Sequence, residues 1–432
     1  MYQKEAIIVL NYLAKSLSAV ALEKIILLLV ALPVNIYMIR ALGPEQYGIL
    51  SLYIVLATIL FQISDCGVRN IFISEYAHTN KARLISTYIA IKFAAAIIIS
   101  TSLLIYYFAL GTDNSSGYYI AICVCLLFTF SDIFESIQLS ELKQTQAARI
   151  RLISGILSNL FRFLMIYLGL PPYYIIFSYG LEYAIKGIII YKTGTTIQNY
   201  NTNLSYTLKI LKRALPLTLS MVFLQLYHRV DIFIIKDLMD DSSVGIYSAA
   251  MKLLDYLVFI VVVLNTVVNP ILGREPSGPK LNKLYQNYYF VIFWGATALC
   301  FFTLPFSNFI ISSLYGPEYS ASTQLLNIML YSLPFIFLGS VSGFWYVNNG
   351  LEIYALIRNI FGLCLNIALN YALIPDYGLQ GAAWATLISY IATSLIVDIL
   401  FKKTRVAFVM KITALTNFSL IYKWIKNNAT KI

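Results

Sequence analysis

The stretch LISTYIAIKFAAAIIISTSLLIYYFAL, residues 84–110, decides the fold class of this chain. It runs for 27 residues with one charged side chain, Lys92. As an α-helix it would be about 40 Å long at 1.5 Å per residue, which exceeds the roughly 30 Å of hydrocarbon in a bilayer. A single helix satisfies its own backbone hydrogen bonds inside that layer, where water is absent. The stretch therefore predicts a helix that spans a membrane.

Eleven other stretches are similarly apolar, and turn residues such as Gly43-Pro44 and Pro171-Pro172 separate them. The composition agrees, because 59% of the 432 residues are apolar and 12% are charged, against about 25% charged in a soluble domain. A soluble enzyme, a disordered chain and a disulfide-stapled secreted domain are excluded. The prediction is an all-α polytopic membrane protein with twelve transmembrane helices at residues 18–39, 47–64, 84–110, 118–138, 151–169, 173–191, 214–236, 244–272, 285–311, 322–347, 353–374 and 379–401.

The positions of Lys and Arg predict the orientation, since cytoplasmic loops are enriched in both. With the N-terminus in the cytoplasm and alternating spans, 23 of the 31 Lys and Arg residues fall on the cytoplasmic side. Two, Arg40 and Lys236, fall on the opposite side. Both termini are therefore predicted to be cytoplasmic. The net charge of +11 then reflects topology and contact with anionic membrane lipids, and no nucleic-acid partner is predicted.

The twelve spans divide into two sets of six on either side of a basic connection. The pentapeptides YGILS at 47–51 and VGIYS at 244–248 follow the first and the seventh span at similar distances. Two parallel repeats around a cavity are a common plan among transporters. We predict an N-terminal six-helix lobe over 1–205, a C-terminal six-helix lobe over 206–401, a central cavity, and a basic cytoplasmic tail over 402–432.

Charged side chains inside the spans need partners or water, because each costs about 2.5–3.5 kcal/mol at the bilayer centre. Glu182 and Lys186 are four residues apart, and Lys252 and Asp255 are three apart. Side chains at these spacings share one face of a helix. Both pairs are therefore predicted to neutralise each other within their own helices.

Four other embedded cations lack such a partner on their own helix. Arg162 continues a polar face that includes Ser158 and Asn159, and Arg229 shares a face with Gln225. Unpaired cations in a hydrated cleft attract anions, and a guanidinium binds phosphate with two parallel hydrogen bonds. Snorkelling to the interface is the alternative for the lysines. The predicted site for an anionic, sugar-bearing substrate comprises Arg162, Arg229, Lys24, Lys92, Gln225 and Asn159.

Embedded carboxylates suggest coupling to an ion. Asp132 and Glu135 lie three residues apart, so they are expected to share a helix face and to repel each other. Such a pair suits proton or sodium exchange. Asp231 is the second candidate, with charge balance to Arg229 or Arg40 as the alternative. Hydrolysis by a carboxylate pair is disfavoured, because no outside loop supplies further catalytic groups.

Seven motifs occur in order along most of the chain: LGPEQYG at 42–48, DCG at 65–67, LP at 215–216, RVDIFI at 229–234, VGIYSAA at 244–250, YGPEY at 315–319 and IPDYGLQGAAWAT at 374–386. Together they resemble the signatures of Wzx-type O-antigen or polysaccharide repeat-unit flippases. These form the polysaccharide transporter family of the multidrug/oligosaccharidyl-lipid/polysaccharide exporter superfamily.

The resemblance implies a two-lobed carrier in the bacterial inner membrane. It would move a polyprenyl-diphosphate-linked oligosaccharide, an O-antigen or capsule repeat unit, from the cytoplasmic to the periplasmic leaflet by alternating access. Coupling to an H⁺ or Na⁺ gradient is implied as well. The cations would bind the diphosphate, and the amides and aromatic rings would bind the glycan. The chain would then be a transporter and not an enzyme.

Two alternatives stay open: an ion-coupled multidrug antiporter of the same fold, and a membrane glycan polymerase. Neither a cofactor nor a metal is predicted, because all five cysteines lie in apolar runs and only two histidines, His78 and His228, are present. The expected partners are the lipid-linked oligosaccharide, the coupling ion H⁺ or Na⁺, and membrane lipids. Other polysaccharide-assembly membrane proteins are candidate partners.

Overall fold

A computed structural model describes residues 2–110, 115–192, 203–276 and 278–416, and these ranges are helical apart from short connections. The predicted all-α class is confirmed. The helices are α1 (Tyr2–Ser64), α2 (Val68–Glu75), α3 (Lys81–Leu110), α4 (Ser116–Phe128), α5 (Ile133–Ser140), α6 (Gln144–Tyr167), α7 (Tyr173–Lys192), α8 (Leu204–Leu238), α9 (Asp241–Leu272), α10 (Pro279–Thr303), α11 (Ser307–Leu314), α12 (Ser322–Leu330), α13 (Leu333–Asn348), α14 (Glu352–Tyr377), α15 (Leu379–Ile391), α16 (Val397–Leu400) and α17 (Arg405–Thr416).

The number of membrane-spanning helices differs from the predicted twelve. Within the described ranges, nine helical segments are long and apolar enough to span a membrane, or ten if the pair α12 and α13, bent by 51°, is one broken span. One of the nine, Ala19–Ser64, is 46 residues long, about 70 Å at 1.5 Å per residue. It contains the first two predicted spans. The predicted span 173–191 coincides with α7.

Gly43 divides α1 into these two spans. Its backbone has φ 70° and ψ 172°, which is not helical and which side chains with a Cβ rarely adopt. Pro44 follows, and its fixed φ suits the start of a new helical segment. The Gly-Pro turn therefore ends the first span as predicted, although no loop separates the helical segments on its two sides.

Three of the predicted spans contain a change of helix type. The fourth is α4, a 3₁₀ turn at Thr129–Asp132, and α5. The ninth is α10, a 3₁₀ turn at Leu304–Phe306, and α11. The twelfth is α15, a π-helical turn at Ala392–Ile396, and α16. Such irregular turns inside helices often mark functional or strained positions. The turns in the fourth and the twelfth span each contain or directly precede charged side chains of the ionic clusters described below.

The chain divides into two compact units, Met1–Gln225 and Leu226–Ile432, with the division inside α8. The lobe boundaries predicted at 205 and 401 remain a prediction. In the first unit, the short helix α2 was not predicted from sequence. It buries Val68, Ile71 and Phe72, which lie on one face by their spacing. These side chains belong to an apolar cluster with residues of α3, α5, α6 and α8.

The second unit includes α17, which lies inside the predicted basic tail over 402–432. Helix α17 packs against α10 and buries Ala407, Met410, Lys411 and Ala414. The helix is 12 residues long, which is too short to be recognised as a membrane span. Residues 417–432 lie outside the described residues, and the cytoplasmic placement of the segment remains a prediction.

Gly381 sets the closest approach between α14 and α15. A Cβ at this position would overlap the carbonyl oxygen of Leu373. We expect Gly381→Ala to lower the free energy of unfolding by about 1–3 kcal/mol, the usual cost of overpacking. Thermal unfolding in detergent measures this. Gly295→Ala on α10 is the matched control, because a Cβ there meets nothing within 4 Å. Equal melting temperatures of the two variants would contradict the prediction.

Candidate functional site

A polar cavity of about 390 Å³ lies within the first unit. Helices α1, α2, α3, α7 and α8 and the 3₁₀ turn before α5 contribute to its wall. Three carboxylates, two cations, amides, hydroxyls and aromatic rings meet there. The lining residues are Thr58, Phe61, Gln62, Asp65, Arg69, Lys92, Thr129, Asp132, Tyr179, Glu182, Tyr183, Met221 and Gln225.

Lys92 is the cation of α3, and it binds two carboxylates of the cavity wall. Its Nζ lies 2.5 Å from Oδ2 of Asp132 and 2.9 Å from Oδ1 of Asp65. Tyr88, one turn before it on α3, donates its hydroxyl to Oδ1 of Asp132 at 2.8 Å. The Lys92 side chain is only 2% exposed. The interpretation of Lys92 as an unpaired or snorkelling lysine is therefore wrong, since its partners come from other elements.

Arg69 on α2 is the most accessible cation of the cavity, with 36% of its side chain exposed. It donates to Oε1 of Glu135 at 2.5 Å. The same oxygen accepts from Arg151 at 3.1 Å. Arg151 also binds both carboxylate oxygens of Glu23 at 2.8 and 2.7 Å. Glu135 is thus shared between two guanidinium groups, one in the cavity wall and one behind it.

Asp132 and Glu135 are not the repelling pair that the sequence predicted. Asp132 pairs with Lys92 and accepts from Tyr88, and Glu135 pairs with Arg69 and Arg151. Each carboxylate therefore has its own cation. The reason is the chain geometry, because the 3₁₀ turn ends at Asp132, just before α5 begins.

One of the two predicted pairs on single helices is confirmed. Lys186 donates to Glu182 at 2.7 Å, which confirms that pair. Asp255 instead accepts from Arg229 at 2.6 Å, between α9 and α8. The prediction that Arg229 is an unpaired cation is wrong, because its carboxylate lies on the neighbouring helix and helical spacing cannot reveal it.

Arg162 is buried behind the cavity wall and does not line it. Its side chain donates to Ser178 Oγ at 3.2 and 3.0 Å and to Asn35 Oδ1 at 3.4 Å. Its guanidinium lies 4.8 Å from the ring centroid of Tyr179, which does line the cavity. Among residues 2–416 as far as they are described, Arg162 has hydrogen bonds but no ion pair. This cation–π contact supports Tyr179 from the side that faces away from the cavity.

The other predicted residues have separate locations. Gln225 lines the cavity and donates to Thr58 Oγ1 at 3.3 Å. Asn159 donates to Gly155 of its own helix at 2.8 Å and lies outside the cavity wall. Lys24 on α1 is half-buried and is also outside the cavity wall.

Asp231 lies in the second unit and is buried. It accepts hydrogen bonds from the Tyr247 hydroxyl, from the Ile232 backbone N–H at 3.0 Å and from Thr386 Oγ1 at 3.5 Å. Neutral donors thus surround this carboxylate. It is separate from the polar cavity of the first unit.

Sequence reasoning missed Asp65, Arg69 and Arg151 as site residues. The two arginines were assigned to cytoplasmic loops because they flank apolar stretches. A signal for Arg151 was present, since it is seven and eleven residues before Ser158 and Arg162 and therefore on the same helix face. No comparable periodicity marks Asp65, which lies in the turn between α1 and α2.

Comparison with known proteins places the chain in a family. The model of the family described as "Polysaccharide biosynthesis protein" matches residues 13–275, and the MatE model matches residues 216–372. The chain is 23% identical to "Capsular polysaccharide biosynthesis protein CapF" of Staphylococcus aureus, over 88% of this chain and 95% of that protein. It is 22% identical to "Putative O-antigen transporter" of Shigella flexneri, over 87% and 94%. An "Uncharacterized membrane protein MJ1375" of Methanocaldococcus jannaschii is 27% identical over 252 residues, 56% of this chain and 57% of that protein.

Solved structures have the same fold. An outward-facing MATE family multidrug resistance transporter of the MOP superfamily matches with a TM-score of 0.67 and 16% identity, over 92% of this chain and 96% of that one. The lipid II flippase MurJ in an inward closed conformation matches with a TM-score of 0.67 and 19% identity, over 94% and 92%. The resemblance inferred from the motifs is confirmed. The chain therefore belongs to the polysaccharide biosynthesis protein family and has the multi-pass membrane fold of MOP superfamily transporters.

Proposed function

We propose that the chain is a flippase for a polyprenyl-diphosphate-linked oligosaccharide, an O-antigen or capsule repeat unit. It acts in the bacterial inner membrane and moves this lipid from the cytoplasmic to the periplasmic leaflet. Family membership and the relatives named for capsule biosynthesis and O-antigen transport support this proposal. The uneven distribution of Lys and Arg supports cytoplasmic termini. The chain is a transporter and not an enzyme.

The polar cavity of the first unit is the observation that carries the proposal. A hydrated chamber among apolar helices is costly to keep unless a polar ligand uses it. Its carboxylates and amides accept and donate hydrogen bonds, which suits sugar hydroxyls. The rings of Phe61, Tyr179 and Tyr183 offer apolar faces for sugar rings. In this proposal Gln225 and Lys92 keep their predicted roles in substrate binding.

Arg69 is our candidate for the diphosphate. Its guanidinium is partly exposed in the cavity, and a guanidinium binds phosphate oxygens in a bidentate way. Arg69 can exchange Glu135 for a ligand at little cost in free energy, because Glu135 would still accept its hydrogen bond from Arg151. Arg162 would position Tyr179 from behind, and Arg229 would hold α8 against α9 through Asp255.

We place ion coupling at three carboxylates. Asp132 is the first candidate, because it lines the cavity and protonation would weaken its bonds to Lys92 and Tyr88. Glu135 is linked to the same cavity through Arg69. Asp231 is the candidate in the second unit, where a proton or Na⁺ would bind a buried carboxylate whose described hydrogen bonds come from neutral donors. The alternative is charge balance by Arg229, two residues before it. Transport would then proceed by H⁺- or Na⁺-coupled alternating access.

The proposed activity is tested by labelling the lipid-linked oligosaccharide from one side of sealed proteoliposomes. The purified protein should increase the fraction of the lipid that reaches the opposite leaflet, relative to vesicles without protein. An imposed H⁺ or Na⁺ gradient should raise the rate. Equal labelling with and without the protein would reject the flippase.

Arg69→Gln is expected to slow flipping by about 10- to 150-fold, because one charge-assisted hydrogen bond contributes about 1.5–3 kcal/mol. The initial rate in the same proteoliposomes is the measurement. Arg213→Gln is the matched control, since Arg213 pairs with Glu75 in the same unit, is more exposed and lies outside the cavity wall. Similar rates for both variants would exclude Arg69 as the diphosphate ligand.

An ion-coupled multidrug antiporter is the second candidate. The MatE match over 216–372 favours it, and so do the three carboxylates against two cations in the cavity wall. Such a cavity also suits a cationic drug. Proteoliposomes loaded with a cationic dye separate the two candidates. Gradient-driven dye efflux without flipping of the lipid-linked oligosaccharide would establish the antiporter in place of the flippase.

A further inference from the structure

A second cavity of about 390 Å³ lies in the first unit, between α4, α6 and α7. Its wall is apolar, with Phe128, Phe161, Phe177, Leu181 and Ala184 among the lining residues. The thiol of Cys125, also in the wall, donates a hydrogen bond to the Ile176 carbonyl oxygen at 3.3 Å. The wall therefore offers dispersion contacts and almost no hydrogen-bonding partner to a ligand. We call this cavity the apolar groove.

The apolar groove is preformed by tight contacts on its two sides. At Gly180 a Cβ would lie 2.7 Å from Cys125 Sγ, so α7 and α4 are in close contact there. On the other side, Ser158 of α6 donates to the Ser178 carbonyl of α7 at 2.5 Å. Arg162 adds two hydrogen bonds to the Ser178 hydroxyl. One turn beyond Gly180 on α7, the small side chain of Ala184 also lines the groove.

Helix α7 separates the apolar groove from the polar cavity. Tyr179, Glu182 and Tyr183 line the polar cavity, whereas Phe177, Gly180, Leu181 and Ala184 line the groove. Successive residues of a helix point about 100° apart, so this interleaved set divides between two faces of one helix. The cavity and the groove are thus about one helix diameter, roughly 10 Å, apart.

This placement indicates which molecule fills the groove. Two of the three helices that line the groove, α4 and α6, belong to segments long and apolar enough to span a membrane, and α7 coincides with the predicted span 173–191. In such a span hydrocarbon and not water is the surrounding medium. A void lined by apolar atoms lacks contact partners until a chain enters it. A lipid with a sugar diphosphate headgroup and a long isoprenoid chain has the two ends that the cavity and the groove require. Both sites belong to one compact unit, so they would carry the two ends of that lipid together.

We propose that the apolar groove binds the isoprenoid chain of the transported lipid while its headgroup occupies the polar cavity. This inference rests on the proposed function, because it assumes a lipid-linked substrate. It assigns a binding site to α4, α6 and α7 that does not depend on any charged residue. It also commits to the isoprenoid chain rather than to a phospholipid of the surrounding membrane.

Photocrosslinking tests the occupant directly. The probe is a polyprenyl diphosphate that carries a diazirine on its isoprenoid chain, added to the protein in phospholipid nanodiscs. Crosslinked peptides identified by mass spectrometry should map to α4, α6 and α7, and unlabelled polyprenyl diphosphate should compete. A diazirine-labelled phospholipid at the same concentration should label the groove about tenfold less. Equal labelling by the phospholipid would show an ordinary membrane lipid there and overturn the proposal.

A pair of variants completes the test. Ala184→Phe fills the groove and should reduce crosslinking by the polyprenyl probe about tenfold. Ile105→Phe on α3, a helix that does not line the groove, at a position 68% exposed, should leave crosslinking unchanged. If Ala184→Phe fails to fold, the crosslinking map of the unmodified protein decides. Undiminished labelling of a folded Ala184→Phe variant would reject the groove as the chain site.

The two proposals fail in different ways. Flipping by the unmodified protein without any crosslink in the groove would reject this inference and leave the flippase intact. Groove labelling without flipping would reject the flippase and support a prenyl-lipid site that serves another purpose.

Discussion

Lys411→Met is expected to lower the free energy of unfolding by about 3–5 kcal/mol, the cost of leaving one partner of a buried ion pair alone. Lys411 of α17 and Asp398 of α16 are both 0% exposed, with Nζ and Oδ2 2.6 Å apart. Nζ also donates to the Ser394 carbonyl at 2.6 Å, in the π-helical turn. The hydroxyl of Tyr346 donates to the other Asp398 oxygen. In the single variant Asp398 would lose Lys411, its ion-pair partner among the described residues, while it stays buried.

Thermal unfolding in detergent measures this loss, and a double variant is its control. Lys411→Met with Asp398→Asn removes both charges and keeps an acceptor for Tyr346. It should recover most of the lost stability, because replacing a complete buried pair is often close to neutral. A Lys411→Met protein that melts at the temperature of the unmodified protein would contradict the role of the pair.

Lys92→Met is expected to abolish most of the transport and to cost less stability than Lys411→Met. Lys92 binds Asp132 and Asp65 in the wall of the polar cavity. Water in the cavity can solvate these carboxylates when the ammonium is removed, which limits the cost to folding. The cavity would lose a cation and become more negative. We expect flipping of an anionic lipid to fall by about 10- to 150-fold.

The two lysines form a matched pair for this test. Each binds an aspartate that also accepts from a tyrosine hydroxyl, Tyr88 in the first unit and Tyr346 in the second. The difference is the surrounding medium, a polar cavity for Lys92 and a packed interior for Lys411. Flipping rate per folded molecule and melting temperature should therefore separate them. A Lys92→Met variant that melts like Lys411→Met but flips normally when folded would refute this assignment.

Much of the fold was predictable, because a long run of apolar residues directly indicates a helix that spans a membrane. Each of the twelve predicted spans coincides with a helix or with helices joined by a short irregular turn. The short helix α2 was missed, because a window of about 20 apolar residues overlooks an eight-residue segment. The helix count by length and composition is lower than twelve in part because α1 holds two predicted spans that meet at Gly43 without a loop.

The candidate site was predictable only in part. Lys92, Asp132 and Gln225 were singled out as embedded polar residues, and all three line the polar cavity. Their partners were not predictable, since helical spacing reports on one helix at a time. Arg229 illustrates this, because its carboxylate, Asp255, was assigned to Lys252 on the same helix. Arg69 was missed because its helix was taken for a loop.

The structure of the protein with a bound polyprenyl-diphosphate-linked oligosaccharide tests the central claim most directly. The polar cavity of the first unit should contain the headgroup. The diphosphate should lie within hydrogen-bond distance of Arg69, and sugar hydroxyls should contact Asp65, Asp132 or Glu182. A headgroup bound outside this cavity, with the Arg69–Glu135 and Lys92–Asp132 pairs unchanged, would contradict the account.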